Sequence, residues 1–103
     1  MLKKETIDTA IRRTNAPGEM DRGLRMPLPW GLGFMLGGEP KAPVFGQAGS
    51  SRMFGHIGAA CIVGWGDADL NLSFAYLTNG NLSFMNCLSR AAELGDLARM
   101  ACL

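Results

Sequence analysis

The one histidine of this chain, His56, lies in a glycine-rich segment between two stretches with strand-like composition. An imidazole changes its charge near neutral pH, and glycine lets a ligand approach the backbone closely. Residues 53–60 are therefore a candidate part of an active site. A lone histidine is more often structural and held by a backbone carbonyl, and the sequence around it shows no recognisable nucleophile with its base. The residues by themselves leave both interpretations open.

Other patterns that carry chemistry are incomplete. A single histidine cannot form a typical protein metal site, so no metal is predicted. The segment Gly31-Leu32-Gly33 lacks the third glycine of a dinucleotide fingerprint, and no phosphate-binding loop is present, so no cofactor is predicted. Asp67 and Asp69 stand two residues apart in a turn, where a pair of solvated carboxylates is expected rather than an acid/base pair.

Composition limits the class of protein. The chain has 103 residues with 48% hydrophobic and 18% charged residues, which predicts a single folded domain. A net charge of +1 indicates no particular partner, and without a basic run no nucleic-acid binding is predicted. The longest apolar run, residues 57–65, is too short to span a membrane, so no membrane-spanning segment and no membrane partner are expected.

The N-terminus has no apolar stretch typical of a secretory signal, which favours a cytoplasmic or organellar location and otherwise leaves localisation unknown. The three cysteines, Cys61, Cys87 and Cys102, are far apart and odd in number. This pattern predicts reduced, buried thiols rather than a disulfide framework.

Periodicity predicts the elements that would position His56. The pattern indicates helices over residues 3–15 and 82–101, with a potential break at Gly95. Strands are expected over residues 30–36, 53–56, 59–66 and 70–78, with loop at 16–29 and turns at 37–43. The short link at residues 67–69 predicts an antiparallel hairpin between the last two strands. This order indicates an α+β fold, with an antiparallel β-sheet flanked by N- and C-terminal helices.

The third predicted strand, over residues 59–66, is nearly all apolar, as expected for a central strand covered on both faces. The C-terminal helix is long enough to cover one face. The N-terminal helix is small for the other. The sequence therefore predicts that part of the fold is missing from these residues.

Three segments together resemble a known family. They are Gly55-His56-Ile57-Gly58-Ala59 with the strand to Trp65, Leu72-Ser73-Phe74-Ala75-Tyr76-Leu77-Thr78-Asn79-Gly80-Asn81, and Pro29-Trp30-Gly31-Leu32-Gly33-Phe34 after Asn15-Ala16-Pro17. In order and spacing, they resemble the C-terminal part of the serine β-lactamase-like superfamily, which includes class C-type β-lactamases, DD-peptidases and β-lactamase-fold esterases. The resemblance implies one partial domain over residues 1–103, with a partial β-lactamase/transpeptidase-like fold.

The resemblance also implies roles for four residues. His56 takes the place of the basic residue in the family's Lys/His-x-Gly box, where it would bind a substrate carboxylate or support proton movement. Gly58 would leave room for substrate, and the backbone N–H of Ala59 would be one of two catalytic oxyanion-hole donors. Ile57, a substrate-binding position, departs from the Ser, Thr or Gly that is frequent there.

The family's Ser-x-x-Lys and Tyr-x-Asn/Ser boxes have no match in the chain. We therefore expect the C-terminal part of a serine hydrolase that would cleave a small ester or amide substrate when intact, and that is inactive alone. Its expected partner is the missing N-terminal part of the fold. The alternative is a non-catalytic small α+β module that acts by binding another protein.

Overall fold

The computed structural model describes residues 1–38 and 42–102. Residues 39–41 of the predicted turn lie outside the described part. The elements, in chain order, are α1 (Lys4–Ala10), β1 (Met20–Asp21), β2 (Met26–Pro27), β3 (Met35–Leu36), a 3₁₀ turn (Pro43–Phe45), β4 (Met53–Gly58), β5 (Ile62–Asp67), β6 (Leu72–Tyr76) and α2 (Phe84–Cys102).

The main sheet has the order β3-β4-β5-β6, and every neighbouring pair is antiparallel. With helices at both ends of the chain, this arrangement confirms the predicted α+β class, including the β5–β6 hairpin. Strands β1 and β2 form a separate small hairpin in the stretch predicted as loop. Among the described residues, no helix has both the length and the apolar character needed to cross a bilayer.

The register gives the two faces of the sheet different roles. Gly55 of β4 lies opposite Trp65 of β5, and Trp65 lies opposite Phe74 of β6. This inner face packs against α2 and the 3₁₀ turn, where Phe45 and Leu88 belong to the core. Because side chains alternate along a strand, the neighbouring residues project from the outer face.

Helix α2 packs one side of its surface against the core. Its buried residues recur at helical spacing along one side: Cys87, Leu88, Ala91, Gly95 and Arg99. The helix is continuous through Gly95, so the potential break is not formed. A Cβ atom on Gly95 would stand 3.3 Å from Nε1 of Trp65, and the glycine therefore allows a close approach between helix and sheet.

Tertiary contacts shorten two predicted elements. Helix α1 ends at Ala10 rather than residue 15, because the Thr14 amide donates to the carbonyl of Trp30 at 2.7 Å. The stretch predicted as a strand over residues 30–36 is mostly a turn. Gly33 there has φ +81°, and only Met35–Leu36 enters the sheet. The close packing expected beside its glycines is present at Gly31, where a Cβ would lie 2.4 Å from the Ala10 carbonyl.

Strand β5 differs from the fully covered central strand that was predicted. It begins at Ile62 because Cys61, with φ +58°, belongs to the turn after β4. Trp65 is buried on its inner face, but Gly64 on the outer face is exposed, and a Cβ there would contact nothing within 4 Å. The outer face at this point is open within these residues.

Candidate active site

His56 projects from the outer face of β4, directly opposite Gly64 of β5. Its side chain is exposed, and its ring lies 5.6 Å from the ring of Trp30, measured between centroids and tilted by 46°. The sequence therefore placed the imidazole on an accessible strand, and the structure places it on the open face rather than in the core.

The ring orientation of His56 is set by its neighbour. Nδ1 lies 2.7 Å from the carbonyl oxygen of Ile57. Because a carbonyl only accepts hydrogen bonds, Nδ1 must carry the proton and donate it. In the neutral ring, Nε2 then keeps its lone pair and faces away from this contact. Such a nitrogen can accept a proton or a hydrogen bond from a bound molecule.

The backbone beyond His56 borders an edge of the sheet that is not covered by β3. Strand β3 pairs only with Gly55 and Phe54 of β4. Ile57 and Gly58 extend past that pairing while remaining paired with β5 on their other side. An extended edge of this kind offers backbone groups to a substrate lying alongside it.

Ala59 is the residue that the family resemblance gives an oxyanion-binding N–H. It follows Gly58, the last paired residue of β4, and is exposed at the start of the turn. His56 and Ala59 thus lie at the same end of β4. The role of each in catalysis remains a prediction.

Gly58 has a local reason to lack a side chain. A Cβ at this position would lie 2.5 Å from Cγ1 of Ile62, its partner across the hairpin. The packing of Ile62 therefore demands glycine even without a ligand. An open groove of about 330 Å³ runs beside it, lined in part by His56, Gly64 and Leu77.

The structure corrects the interpretation of the cysteines. Cys61 and Cys87 form a disulfide with a Cα–Cα distance of 5.1 Å, whereas Cys102 is free and exposed. The turn after β4 and the first turns of α2 are 26 residues apart in sequence, and the fold brings them together. The spacing of the cysteines alone could not predict this contact. The disulfide joins the segment after Ala59 to the start of α2.

The expectation of a solvated turn is wrong for Asp67, which is 2% exposed. Ser50 donates its hydroxyl to Oδ1 at 2.6 Å and its amide to Oδ2 at 2.8 Å. Burial is the largest influence on the pKa of Asp67 and raises it. The hydrogen bonds from Ser50 and from the amides of Leu70 and Asp69 outweigh burial and hold the pKa below its ordinary value. Asp67 therefore anchors a loop.

A second buried polar group, Arg99, was not identified from the sequence. Its Nη1 donates to the carbonyl of Phe45 at 2.8 Å and to Oδ1 of Asp96 at 2.9 Å. Burial lowers the pKa of Arg99, and the charge of Asp96 opposes that shift. Its position four residues after Gly95 on the buried stripe was the sequence signal that pointed to the core.

Within residues 1–38 and 42–102, no cluster of three or more His, Cys, Asp or Glu side chains is arranged to hold a metal ion. The groups of chemical interest at this end of β4 are thus the imidazole of His56, the exposed turn at Ala59 and the groove beside Gly58.

The fold is that of a β-lactamase: the chain superposes on the crystal structure of a β-lactamase from Mycobacterium bovis with a TM-score of 0.81 and 23% identity. That match covers 98% of this chain but 38% of the length of the Mycobacterium protein. The β-lactamase family model matches residues 2–96, and the chain belongs to this family. No curated protein gave a significant match.

Proposed function

We propose that this chain supplies the C-terminal wall of a β-lactamase-like serine hydrolase, which cleaves an ester or amide through an acyl-serine intermediate. The observation that carries the proposal is the placement of His56 and Ala59 at the same open end of β4. The family model over residues 2–96 supports it. The nucleophilic serine and its base would come from a part of the fold outside these residues.

In the proposed reaction, this chain and the part of the fold outside these residues contribute different groups. The serine oxygen attacks the substrate carbonyl carbon and loses its proton to a base, both outside these residues. The oxyanion that develops is stabilised by the N–H of Ala59 and by a second donor. The base gives that proton to the leaving group as the bond from the carbonyl carbon to the leaving group breaks. The base then takes a proton from a water that attacks the acyl-serine, and returns it to the serine oxygen as the acid is released.

His56 would act on the substrate side of this site. Its Nδ1 proton is committed to the Ile57 carbonyl, so Nε2 is the atom available to substrate. In the neutral ring, Nε2 can accept a hydrogen bond or a proton from the substrate or from a water beside it. In the protonated ring, it donates to a substrate carboxylate. The ring against Trp30 limits how far the imidazole can turn.

The partner of this chain would be the remainder of the same fold, covering the outer face of the sheet. Apart from Ile62, the outer residues of β5 and β6 are small, with Gly64 opposite Ala75 and Gly66 opposite Ser73. Small residues let a helix approach a sheet closely. The chain spans only 38% of the length of the Mycobacterium β-lactamase, which supports a covering part of substantial size. We propose no membrane or nucleic-acid partner.

Two assays test the proposal. The 103-residue chain is expected to leave nitrocefin and p-nitrophenyl acetate unhydrolysed above background. The coding sequence upstream of Met1 is expected to contain in-frame Ser-x-x-Lys and Tyr-x-Asn/Ser boxes, and the longer polypeptide to hydrolyse one of these substrates. Turnover by the 103 residues alone that disappears in His56→Ala would contradict the division of the site.

The open outer face also supports a second candidate function, a non-catalytic module that binds another protein. Exposed Gly64, Ser73 and Ala75 leave backbone and sheet surface accessible. Size-exclusion chromatography and hydrogen exchange distinguish the two. A sharp monomer with well-protected amides in the outer face favours the self-sufficient module. Outer-face amides that exchange rapidly until the complementary part is added favour the hydrolase.

A further inference from the structure

A cavity of about 390 Å³ lies on the side of β4 away from His56, beneath the turn that begins at Ala59. Its walls come from four separate parts of the chain. They are the β1–β2 turn at Leu24, the end of β4 at Ile57, the segment before α2 at Leu82 and the first turn of α2 at Phe84. This volume is in the range of small-molecule sites.

The lining of the cavity is mainly apolar. A separate small void of about 10 Å³ shares Leu24, Ile57 and Phe84 with it, and is also bordered by the core residues Leu28, Val44 and Leu88. At the rim, Leu82 and Phe84 are 43% and 44% exposed, so two large apolar side chains face solvent at the entrance. The Cys61–Cys87 disulfide forms part of the wall and fixes the distance between the β4 turn and α2.

The cavity lies next to the residues proposed to bind the substrate carbonyl. Gly58 and Ala59 border it from above, and Ala59 is the proposed oxyanion donor. Because Ala59 lines the cavity, a substrate bound at its N–H would lie next to the cavity. Asn81 is the polar side chain at its border.

We propose that this cavity binds an alkyl chain or phenyl ring of the substrate, so that the preferred substrates are esters or amides with such an apolar group. The substrate assignment rests on the proposed function. The cavity's ability to bind an apolar group does not depend on catalysis and is measured separately. Apolar surface brought out of water by both partners provides the affinity.

Binding is tested on the 103-residue chain with 4-phenylbutan-1-ol, a neutral compound that no hydrolase can cleave. In ¹H–¹⁵N NMR titrations, we expect saturable shifts at the amides of Ala59, Leu82 and Phe84. Amides beside the outer groove, such as that of Leu77, should move little. Shifts concentrated at Leu77, or no saturation up to the solubility of the alcohol, would overturn the proposal.

Matched variants locate the site. Phe84→Ser removes an apolar rim residue and is expected to weaken binding by about tenfold. Leu97→Ser removes a comparably exposed residue of the same helix, at 54%, and should leave binding unchanged. Leu82→Ser lies outside the helix and repeats the test if Phe84→Ser unfolds. Equal weakening by Leu97→Ser would refute the cavity as the binding site.

The two proposals can fail separately. If the longer polypeptide hydrolyses p-nitrophenyl acetate but shows no gain with the butyrate or phenylacetate ester, and the alcohol does not bind, the cavity proposal is wrong and the hydrolase stands. If the alcohol binds at Ala59 and Phe84 but no hydrolysis is found, the cavity is supported as a site for apolar ligands and the proposed acyl-serine reaction is wrong.

Discussion

The guanidinium of Arg99 lies over the indole ring of Trp65, with Cζ 4.1 Å from the ring centroid. Arg99 is 0% exposed. Its charge is balanced by Asp96 and by the Phe45 carbonyl, which ties α2 to the 3₁₀ turn and to the inner face of the sheet. A cation over an aromatic face in a desolvated core is a strong contact that depends on all its partners being present.

Arg99→Ala is expected to destabilise the fold by about 3–5 kcal/mol, because it removes the buried cation, leaves the Phe45 carbonyl without its donor and opens a void beside Trp65. Urea unfolding followed by Trp fluorescence measures the change. Arg22→Ala, at an exposed position of the β1–β2 turn, is the control and should stay within about 0.5 kcal/mol of the parent. A similarly small effect of Arg99→Ala would contradict a central role for the contact.

Two glycines of the central hairpin should respond oppositely to alanine. A Cβ on Gly55 would lie 2.3 Å from the Gly64 carbonyl and 2.7 Å from Cα of Trp65, both backbone atoms that cannot move aside cheaply. We expect Gly55→Ala to cost about 2–3 kcal/mol as an overpacked core residue. Gly64→Ala meets open space and should be neutral or slightly stabilising, because alanine restricts the unfolded chain.

The same open space provides a test of the proposed partner. Gly64→Phe should leave the unfolding free energy of the 103-residue chain nearly unchanged. In the longer polypeptide, it should block the packing of the remaining fold on the outer face and abolish hydrolysis. Unchanged activity of Gly64→Phe would show that nothing packs closely there.

Stability should fall in acid because of Asp67 and Asp96. For Asp96, burial is the largest influence and raises the pKa. The amides of Gln47 and Ala48, with Arg99, outweigh it and lower the pKa below the ordinary value. A depressed folded-state pKa gives stability that is present above the unfolded pKa and lost as the pH falls through the folded one. The free energy of unfolding should therefore decrease from about pH 5 toward pH 2.

Asp67→Asn separates the contribution of one carboxylate to this acid effect. The variant should lose about 1–3 kcal/mol at pH 7, because an amide accepts the Ser50 and backbone hydrogen bonds less strongly than a carboxylate. Its stability should also fall less steeply with acid, as measured by urea midpoints across the pH range. An acid slope equal to that of the parent would contradict the depressed pKa of Asp67.

Labelling with iodoacetamide tests the disulfide. Without reductant, the folded chain should be labelled at Cys102 alone, and after reduction and unfolding all three cysteines should react. Cys61→Ser should cost about 3 kcal/mol, since a crosslink of this loop length restricts the unfolded chain. Cys102→Ser is the control with no expected cost. Labelling of Cys61 and Cys87 without reductant would show that the thiols are free.

His56→Gln tests the contribution of His56 to hydrolysis separately from its contribution to the stability of the fold. Because the ring is exposed, the variant's unfolding free energy should match the parent within about 0.5 kcal/mol. In the proposed longer polypeptide, kcat/KM should fall by roughly 10²-fold or more, as expected when a positioned group that binds substrate or assists proton transfer is lost. Arg22→Gln, distant in sequence and exposed, is the activity control. Full activity of His56→Gln would remove His56 from the site.

Local patterns in the sequence determined the elements that depend on short-range order. The short link between β5 and β6 identified the hairpin, and the helical periodicity of residues 82–101 identified helix α2. Hydrophobic spacing and turn chemistry act over a few residues, so they can be read directly. The same order and spacing indicated the β-lactamase family, which the family model over residues 2–96 confirms.

Only the tertiary structure decided features that join distant segments. Thr14 bonding to Trp30 ends α1, Cys61 reaches Cys87 across 26 residues, and Arg99 enters the core through Phe45 and Trp65. The apolar composition of β5 predicted that both faces of the strand are covered. Glycine has no side chain that must be buried, and Gly64 faces open space on the outer face. Such contacts depend on which remote groups meet, and no local periodicity records that.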